Sequence, residues 1–436
     1  MANAFIPADT VPLGFQFNAV KAGIKASGNL DLAAAFAASG PASAAAMFTR
    51  NQVVAAPVAV GRKHLEITGG SVRTLIVNAG NANCATGEAG YNACKDVCFA
   101  AADTFQCEAP EVFPSSTGII GVPLPAEKLI SALPALHAGL GSTPEHVERF
   151  ARAIMTTDTR PKVAYSTFEV DGKTVRLIGM CKGAGMIHPQ MQLSSRPPAG
   201  GLSADAAPMD VASASSSLAP GGHATMLAYL FTDLEIKPLY LRNLLDGAVA
   251  PSFNSISIDG DTSTNDTVLM LASGASGAVY SPPHHPQVQA AVDQVCASLA
   301  HQIVDDGEGV THVVTLQITG ARTAAEAKQV AKAIAHSPLC KTAWSSADPN
   351  WGRILAAAGY SGVAFDPDKI SVSIGGNTVF QSGAISPTFD KAATHTAMLE
   401  REFTIHLDLA QGEGCCTFLT CDLTAEYVRI NADYST

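Results

Sequence analysis

Two periods of apolar residues interleave along this chain, one of about two residues and one of three to four. Val72–Val77 is a short apolar run that enters a loop of asparagine, alanine and glycine over Asn78–Asn83. Tyr165–Val170 and Thr174–Met180 flank Asp171-Gly172, and Asp-Gly suits the type I′ turn of a β-hairpin. Phe253–Ile258 alternates Phe-Asn-Ser-Ile-Ser-Ile before a second Asp-Gly at Asp259-Gly260, which predicts another strand. Gln287–Val304 carries the helical period, and Val313–Ile318 reads as a strand. Thr323 with Glu326 three residues on is a capping box, opening a helix that runs to about His336. Ser371–Ile374, Phe403–Leu409 and Thr417–Leu423 are late strands. Strands alternating with helices in this way give an α/β chain.

One segment follows neither period. From Gln192 to about His223 the chain is rich in Ser, Ala, Pro and Gly, with little aliphatic content. It offers too little apolar surface to offset its ordering entropy and reads as a mobile loop or linker. It divides the chain into two similar halves, for which two independent domains are the ordinary inference.

Composition narrows the class. The 436 residues allow about two or three domains or one large α/β unit. Charged residues make up only 15%, against about 25% in an average domain, so the polar surface rests on hydroxyls, amides and glycine. Net charge is −11 with no Lys/Arg cluster, which argues against a nucleic-acid partner. The ten cysteines form no CxxC pair and have no histidines at zinc-finger spacing, so reduced, mostly buried thiols are expected, with no metal. The N-terminus has no basic n-region and no long apolar stretch, and the Ala-rich Asp31–Phe48 is broken by Gly40-Pro41. A soluble, cytoplasmic protein without a membrane partner is the expectation.

Several stretches have the residue types that chemistry needs. In Lys182-Gly-Ala-Gly-Met-Ile187 the glycines let backbone pass close to a ligand, although the spacing fits neither common phosphate loop; a tight turn with an exposed lysine is the competing reading. Ser115-Ser116-Thr117-Gly118 pairs a hydroxyl with a glycine N–H, the two donors an oxyanion hole requires, yet small hydroxyl residues are also common at strand ends. Met155-Thr-Thr-Asp-Thr159 and Asp306-Gly-Glu-Gly309 follow. A glycine-flanked carboxylate such as Glu308 can approach an amine, or simply mark a turn. Trp351, in Asp348-Pro-Asn-Trp-Gly-Arg353, reads first as a packing anchor. His284 and His285 read as loop residues, and Asn265-Asp-Thr267 is a glycosylation pattern without secretory context. Tyr427–Ile430 reads as an ordered run into Asn431-Ala-Asp-Tyr-Ser-Thr436.

Together these stretches resemble the ornithine acetyltransferase (glutamate N-acetyltransferase) family of arginine biosynthesis over nearly the whole chain. Further matching pieces are Gly23-Ile-Lys25, Ala224-Thr-Met-Leu227, Phe231-Thr-Asp233 and Asp259-Gly-Asp-Thr-Ser-Thr-Asn-Asp266. The resemblance implies a self-processed αββα sandwich made of two intertwined α/β units. It implies self-cleavage between Ala224 and Thr225, giving chains 1–224 and 225–436 that stay associated, with a dimer of such heterodimers expected. Thr225 would be the nucleophile, its freed α-amine the base, and Thr117 with Gly118 the oxyanion hole. Thr156 or Thr157, Lys182, Thr225, Glu308, Asn431 and Thr436 would contact substrate. We assign Lys182 to the substrate carboxylate and Glu308 to an ornithine-side amine. The implied reaction is ping-pong transfer of acetyl from N-acetylornithine to glutamate through an acetyl-Thr225 ester, with no cofactor. Acetyl-CoA stands open as a second donor, and a self-cleaving amidase or aminopeptidase is the alternative.

Two departures bear on this. The family usually runs from the glycine-rich lysine motif directly into Ala-Thr-Met-Leu, whereas here the Ser/Pro-rich insertion intervenes. Loop lengthening itself costs entropy only logarithmically. Ser435 also stands where the family commonly has arginine.

Overall fold

A computed structural model describes residues 6–193 and 225–432. The first stretch runs β1 (Phe15–Val20), β2 (Leu32–Ala37), β3 (Ala42–Thr49), α1 (Ala56–Thr68), β4 (Ser71–Val72), β5 (Thr74–Asn81), α2 (Gly87–Phe105), β6 (Val112–Ile119), α3 (Ala126–Ala138), α4 (Pro144–Ile154), β7 (Lys162–Val170), β8 (Lys173–Lys182) and β9 (Met191–Leu193). The second runs β10 (Leu227–Thr232), α5 (Pro238–Val249), β11 (Thr267–Ala272), α6 (His285–Asp305), β12 (Val313–Ala321), α7 (Ala324–Ala335), α8 (Pro338–Ser345), α9 (Trp351–Gly359), β13 (Ser371–Ile374), β14 (Asn377–Gln381), β15 (Ala384–Ile385), α10 (Lys391–Met398), β16 (Glu402–Asp408), β17 (Gly414–Cys421) and α11 (Ala425–Ala432).

Three sheets result. Strands β1-β2-β5-β6 make one, and β4-β3-β11-β10-β8-β7 make the second, with β9 paired to β3. These two pack face to face. Phe15, Phe17, Leu75 and Phe113 from the first meet Phe48, Met180, Tyr229 and Phe231 from the second. The outer face of the first is covered by α2 and α3 through Val97, Ala101, Leu129 and Leu133. The outer face of the second is covered by α5 and α6 through Leu241, Leu245, Val292 and Leu299. The layer order is helix, sheet, sheet, helix, the αββα sandwich expected. The third sheet, β15-β14-β13-β16-β12-β17, packs α7 to α10 around its own core as a second α/β unit.

The segment around residues 194–224 does not separate two domains. β8, before it, pairs antiparallel with β10, after it, and β3 pairs antiparallel with β11. One sheet therefore draws strands from both sides, and hydrophobic burial between the sheets couples them. Of the Gln192–His223 loop, Gln192 and Leu193 lie in β9 against β3, and the remainder lies outside the described residues.

The hairpin is as expected: Asp171 and Gly172 take φ of +49° and +73°, the left-handed pair of a type I′ turn. The α6 helix, the Val313–Ile318 strand and the three late strands also appear near their expected bounds. Three local expectations need correction. Asn78–Asn81 is strand rather than loop, because it continues the parallel pairing of β5 with β6. Phe253–Ile258 is a 3-10 turn followed by a single bridge from Ile256 to Leu419 of β17; Ser257 N donates to Leu419 O, but Ile258 N turns to Ile187 O, so the pairing goes no further. The capping box at α7 is half formed: Thr323 accepts from the Glu326 N–H, while the Glu326 carboxylate pairs with Arg322.

Strand parity decides what faces the layer between the sheets. On β10, Leu227, Tyr229 and Phe231 point inward; on β8, Ile178 and Met180; on β6, Phe113. Continued to the strand ends, the same alternation puts Thr225, Lys182 and Thr117 in that layer. No described helix is long and apolar enough to cross a membrane.

Phe231 sits edge-on to Phe17 and Phe15 at centroid distances of 4.9 and 5.2 Å, fully buried. Phe231→Ala should therefore lower stability by about 3–5 kcal/mol in urea unfolding, while Tyr360→Ala, at a residue 64% exposed, should change it by no more than about 0.5 kcal/mol. Equal effects would contradict this packing.

Candidate active site

Thr225 stands two residues before Leu227, which pairs with Lys182 on β8 and with Thr267 on β11. It is 1% exposed, and its Oγ1 accepts a hydrogen bond from the Ser263 hydroxyl at 3.2 Å. The next residue is fixed on both sides: Met226 N donates to the Asp266 carboxylate at 2.9 Å, and Met226 O accepts from Thr267 N at 3.1 Å.

Lys182, fully buried, ends β8 and is not the exposed turn lysine of the competing reading. Its Nζ donates to Thr156 Oγ1 at 2.6 Å and to Thr117 Oγ1 at 3.2 Å. An ammonium has three donors, so these two bonds leave one for a ligand. Because Thr117 accepts from Lys182, its own hydroxyl proton is available to an incoming oxygen. Burial, with help from the Lys162 ammonium, draws the Lys182 pKa down to about 8 against the opposing pull of Asp158, Glu308 and Asp266.

Gly118 has to be glycine. Its φ is +142°, and a Cβ there would overlap the Asn81 nitrogen and the Gly80 carbonyl carbon on β5. The β5–β6 ends are held from the side by Asn265, whose Nδ2 donates to Ala82 O at 2.8 Å and Ser116 O at 2.9 Å. Ser116 Oγ in turn donates to Asn78 Oδ1 at 2.6 Å. Asn265 is 1% exposed, so the glycosylation pattern is occupied by structure.

A buried charge cluster ties three loops together. Lys162 Nζ donates to both Asp158 and Asp306. Asp158 also accepts from Thr156 N at 3.0 Å and Gly183 N at 2.7 Å, and Asp306 accepts from Thr159 N at 3.1 Å and from the Thr159 hydroxyl. Burial alone would raise the Asp158 carboxyl; the Lys162 ammonium, then Lys182 and the Gly183 N–H, hold it well below the usual range instead. Thr156 is thereby placed against Lys182. The Thr157 hydroxyl is buried without a hydrogen-bond partner.

Glu308 completes the far side. Its N–H donates to Ala184 O at 2.9 Å, and a Cβ on Gly185 would collide with its carboxylate. Asn431 on α11 donates to Glu308 Oε2 at 2.9 Å, and Tyr427 on the same helix donates to Asp259 at 3.2 Å. Helix α11 is the ordered run expected before the tail. Ala224 and Thr436 lie outside the described residues.

Of the expected site residues within the described chain, Lys182 joins Thr117, which precedes Gly118, and Thr156, which precedes Thr157; Glu308 joins Asn431; and Thr225 is met by Ser263. Sequence reasoning gave no role to Ser263, Asp266, Lys162 or Asp158. The first two lie in the Asp259–Asp266 motif, which was a usable signal; Lys162 sits in an ordinary strand and carried none. Other candidates are absorbed by packing. Trp351 stacks on Phe380 at 5.2 Å, His284 pairs with Asp171, and His285 with the Tyr280 hydroxyl. All ten cysteines are unpaired, most of them buried, and among the described residues no group of three or more His, Cys, Asp or Glu could hold a metal.

Comparison with known proteins adds the family. A model of the ArgJ family matches residues 16–436. The arginine biosynthesis bifunctional protein ArgJ of Geobacter sulfurreducens is 40% identical over 426 residues, 97% of this chain and 99% of that protein. The protein of the same name from Thermus thermophilus is 42% identical over 98% of this chain and 99% of its own length. A crystal structure of ArgJ from Bacillus halodurans is 38% identical over 46% of this chain and 96% of the solved chain, with a TM-score of 0.45. Matched along almost all of its length, with the hydroxyls, lysine and carboxylate described above set around one strand end, the chain belongs to the ArgJ family.

Proposed function

We propose that this protein moves an acetyl group from N-acetylornithine to glutamate in arginine biosynthesis, carrying it between the two as an ester on Thr225. The observation that supports this most is the convergence on the head of β10 of a buried threonine hydroxyl, a lysine with one donor left and a glycine-bracketed carboxylate. Its relatives of about 40% identity carry the name of a bifunctional arginine-biosynthesis protein. Family membership favours transfer over the hydrolytic alternative.

On this reading the precursor cuts itself between Ala224 and Thr225 into chains 1–224 and 225–436, which the shared sheet keeps together. The freed Thr225 α-amine, titrating near ~7.7–8.0, takes the hydroxyl proton. Oγ1 attacks the acetyl carbonyl of N-acetylornithine. The Thr117 hydroxyl and Gly118 N–H receive the oxyanion, and the ammonium formed at Thr225 returns its proton to the departing ornithine amine. Lys182 holds the substrate carboxylate with its remaining donor while Thr156 or Thr157 lines the same side. Glu308, steadied by Asn431, takes an amine of the ornithine, and Thr436 closes the site from the tail. Glutamate then enters and its amine accepts the acetyl. The acyl group rides on the protein itself, so no resident cofactor is needed. Two such two-chain units form the expected assembly, in the cytoplasm.

Incubation with N-acetylornithine should yield acetylglutamate when glutamate is present. Free acetate as the sole acetyl product would contradict transfer. Thr225→Ala should give one uncut, inactive chain, whereas wild type should give two with the second beginning Thr-Met-Leu by N-terminal sequencing; a cut Thr225→Ala product would refute the assignment.

The pH profile follows from two groups of opposite demand. The α-amine must be neutral, so kcat/KM rises as pH passes ~7.7–8.0. Lys182 must be cationic, so kcat/KM falls as pH rises through about 8. A narrow bell near pH 8 is expected, and a flat profile across about two units on either side would contradict it.

A further inference from the structure

The self-cleavage step has a requirement that the mature reaction does not share. Before the bond is cut the Thr225 nitrogen is an amide, with no lone pair to accept a proton, so the attacking hydroxyl needs another base. This inference rests on the cleavage reading above.

Asp266 has the attributes of that base. It is fully buried. Oδ1 accepts from Met226 N at 2.9 Å, which seats the carboxylate one residue from the scissile junction. Oδ2 is buried and without a hydrogen-bond partner, a costly state that a purely structural carboxylate would not keep. Ser263 lies next to this carboxylate and donates its hydroxyl to Thr225 Oγ1 at 3.2 Å. Ser263 Oγ is itself held, accepting from Asn265 N at 3.2 Å.

We propose that Asp266 is the proton acceptor for self-cleavage, acting on Thr225 through the Ser263 hydroxyl. At rest Ser263 donates to Thr225; once both hydroxyls rotate so that Thr225 donates to Ser263 and Ser263 to the unpartnered Asp266 Oδ2, the proton of Thr225 Oγ1 passes to Ser263 Oγ as the Ser263 proton passes to Asp266 Oδ2. Oγ1 bonds to the Ala224 carbonyl carbon. When the tetrahedral adduct collapses, the C–N bond breaks and the same proton returns by the same path to the Thr225 nitrogen, leaving an ester and a free amine. Water then hydrolyses the ester to the Ala224 carboxylate and the Thr225 hydroxyl.

The surroundings poise this carboxyl near neutrality. Burial pushes it up to about 7, opposed by the Met226 N–H, the Lys182 ammonium and Ser263. Lys182 on β8 is the charged group facing it. On its β3 side stands Thr49, whose N–H donates to Asp266 O at 2.9 Å; β10 brings Thr225 and Met226, and the preceding loop brings Ser263, Thr264 and Asn265, all uncharged before cleavage.

The test is a time course of cleavage in full-length chain made by cell-free synthesis at a series of pH values and read on denaturing gels. Asp266→Asn keeps an oxygen for Met226 N but cannot take a proton. Wild type should cleave faster as pH rises through about 7. Asp266→Asn should cleave about 10²-fold more slowly or worse and lose that pH dependence. Asp266→Glu should restore the pH-dependent limb, and Ser263→Ala, which leaves Asp266 in place, should also be slow. Asp266→Asn cleaving at the wild-type rate, or slowly with the pH limb unchanged, would overturn the proposal. Should Asp266→Asn fail to fold, a Ser263→Ala chain that cleaves normally would overturn it equally, and one that cleaves slowly would uphold it. A wild-type chain that never cleaves would instead sink the cleavage reading itself.

Discussion

The antiparallel register of β8 against β10, with Lys182 opposite Leu227, is the constraint on which the rest depends. Slipping that register by one residue would turn every side chain of β10 to the other face. Tyr229 and Phe231 would leave the layer between the sheets, and Thr225 would leave the site with them. The aromatic packing that makes the slip costly, Phe231 against Phe15 and Phe17, therefore also aims Thr225, the proposed nucleophile. Packing and chemistry share one strand, and the strand is held from both sides by segments that precede residues 194–224 in sequence: β8 directly, and β3 through β11.

The charge balance at the site is set one shell further in. Lys162 joins Asp158 and Asp306, and through them the loops carrying Thr156, Gly183 and Glu308. Removing one partner from such a buried pair typically costs ~3–5 kcal/mol, because the remaining charge is left uncompensated. The cluster therefore holds these three loops in fixed relation, at a desolvation cost the surrounding core supports. It also leaves Lys182 sharing Asp158 with Lys162, and that competition, added to burial, is why the Lys182 ammonium titrates low.

Much of this was legible in the sequence, unevenly. The Asp-Gly hairpin, the α6 period and the late strands were readable because each has a local cause. Thr117-Gly118 and Lys182 stood out as motifs, but local sequence left them open to a strand end and a plain turn, and only the family resemblance gave them roles. The Ala-rich Asp31–Phe48 gave no strand signal, yet it supplies β2 and β3; alanine has little β preference of its own, and only the second sheet explains its use there. Asn78–Asn81 looked like loop for the same kind of reason, and parallel pairing with β6 overrode it. Phe253–Ile258 had the strand alternation but meets β17 at one bridge only, because Ile258 N is drawn to Ile187 O instead. Lys162 was invisible, because nothing local distinguishes a lysine that will be buried between two aspartates. Ser263 and Asp266 stood inside a recognised motif, but their relation to Thr225 exists only once β11 lies beside β10.

The account's central claim is that Thr225 Oγ1 carries the acyl group. Its most direct test is peptide mass spectrometry of purified protein quenched by acid after brief exposure to N-acetylornithine without glutamate. One acetyl increment confined to the peptide that begins Thr225-Met-Leu, and lost on adding glutamate, is the expected result. An acetyl increment on any other residue, or full turnover with that peptide never modified, would contradict it.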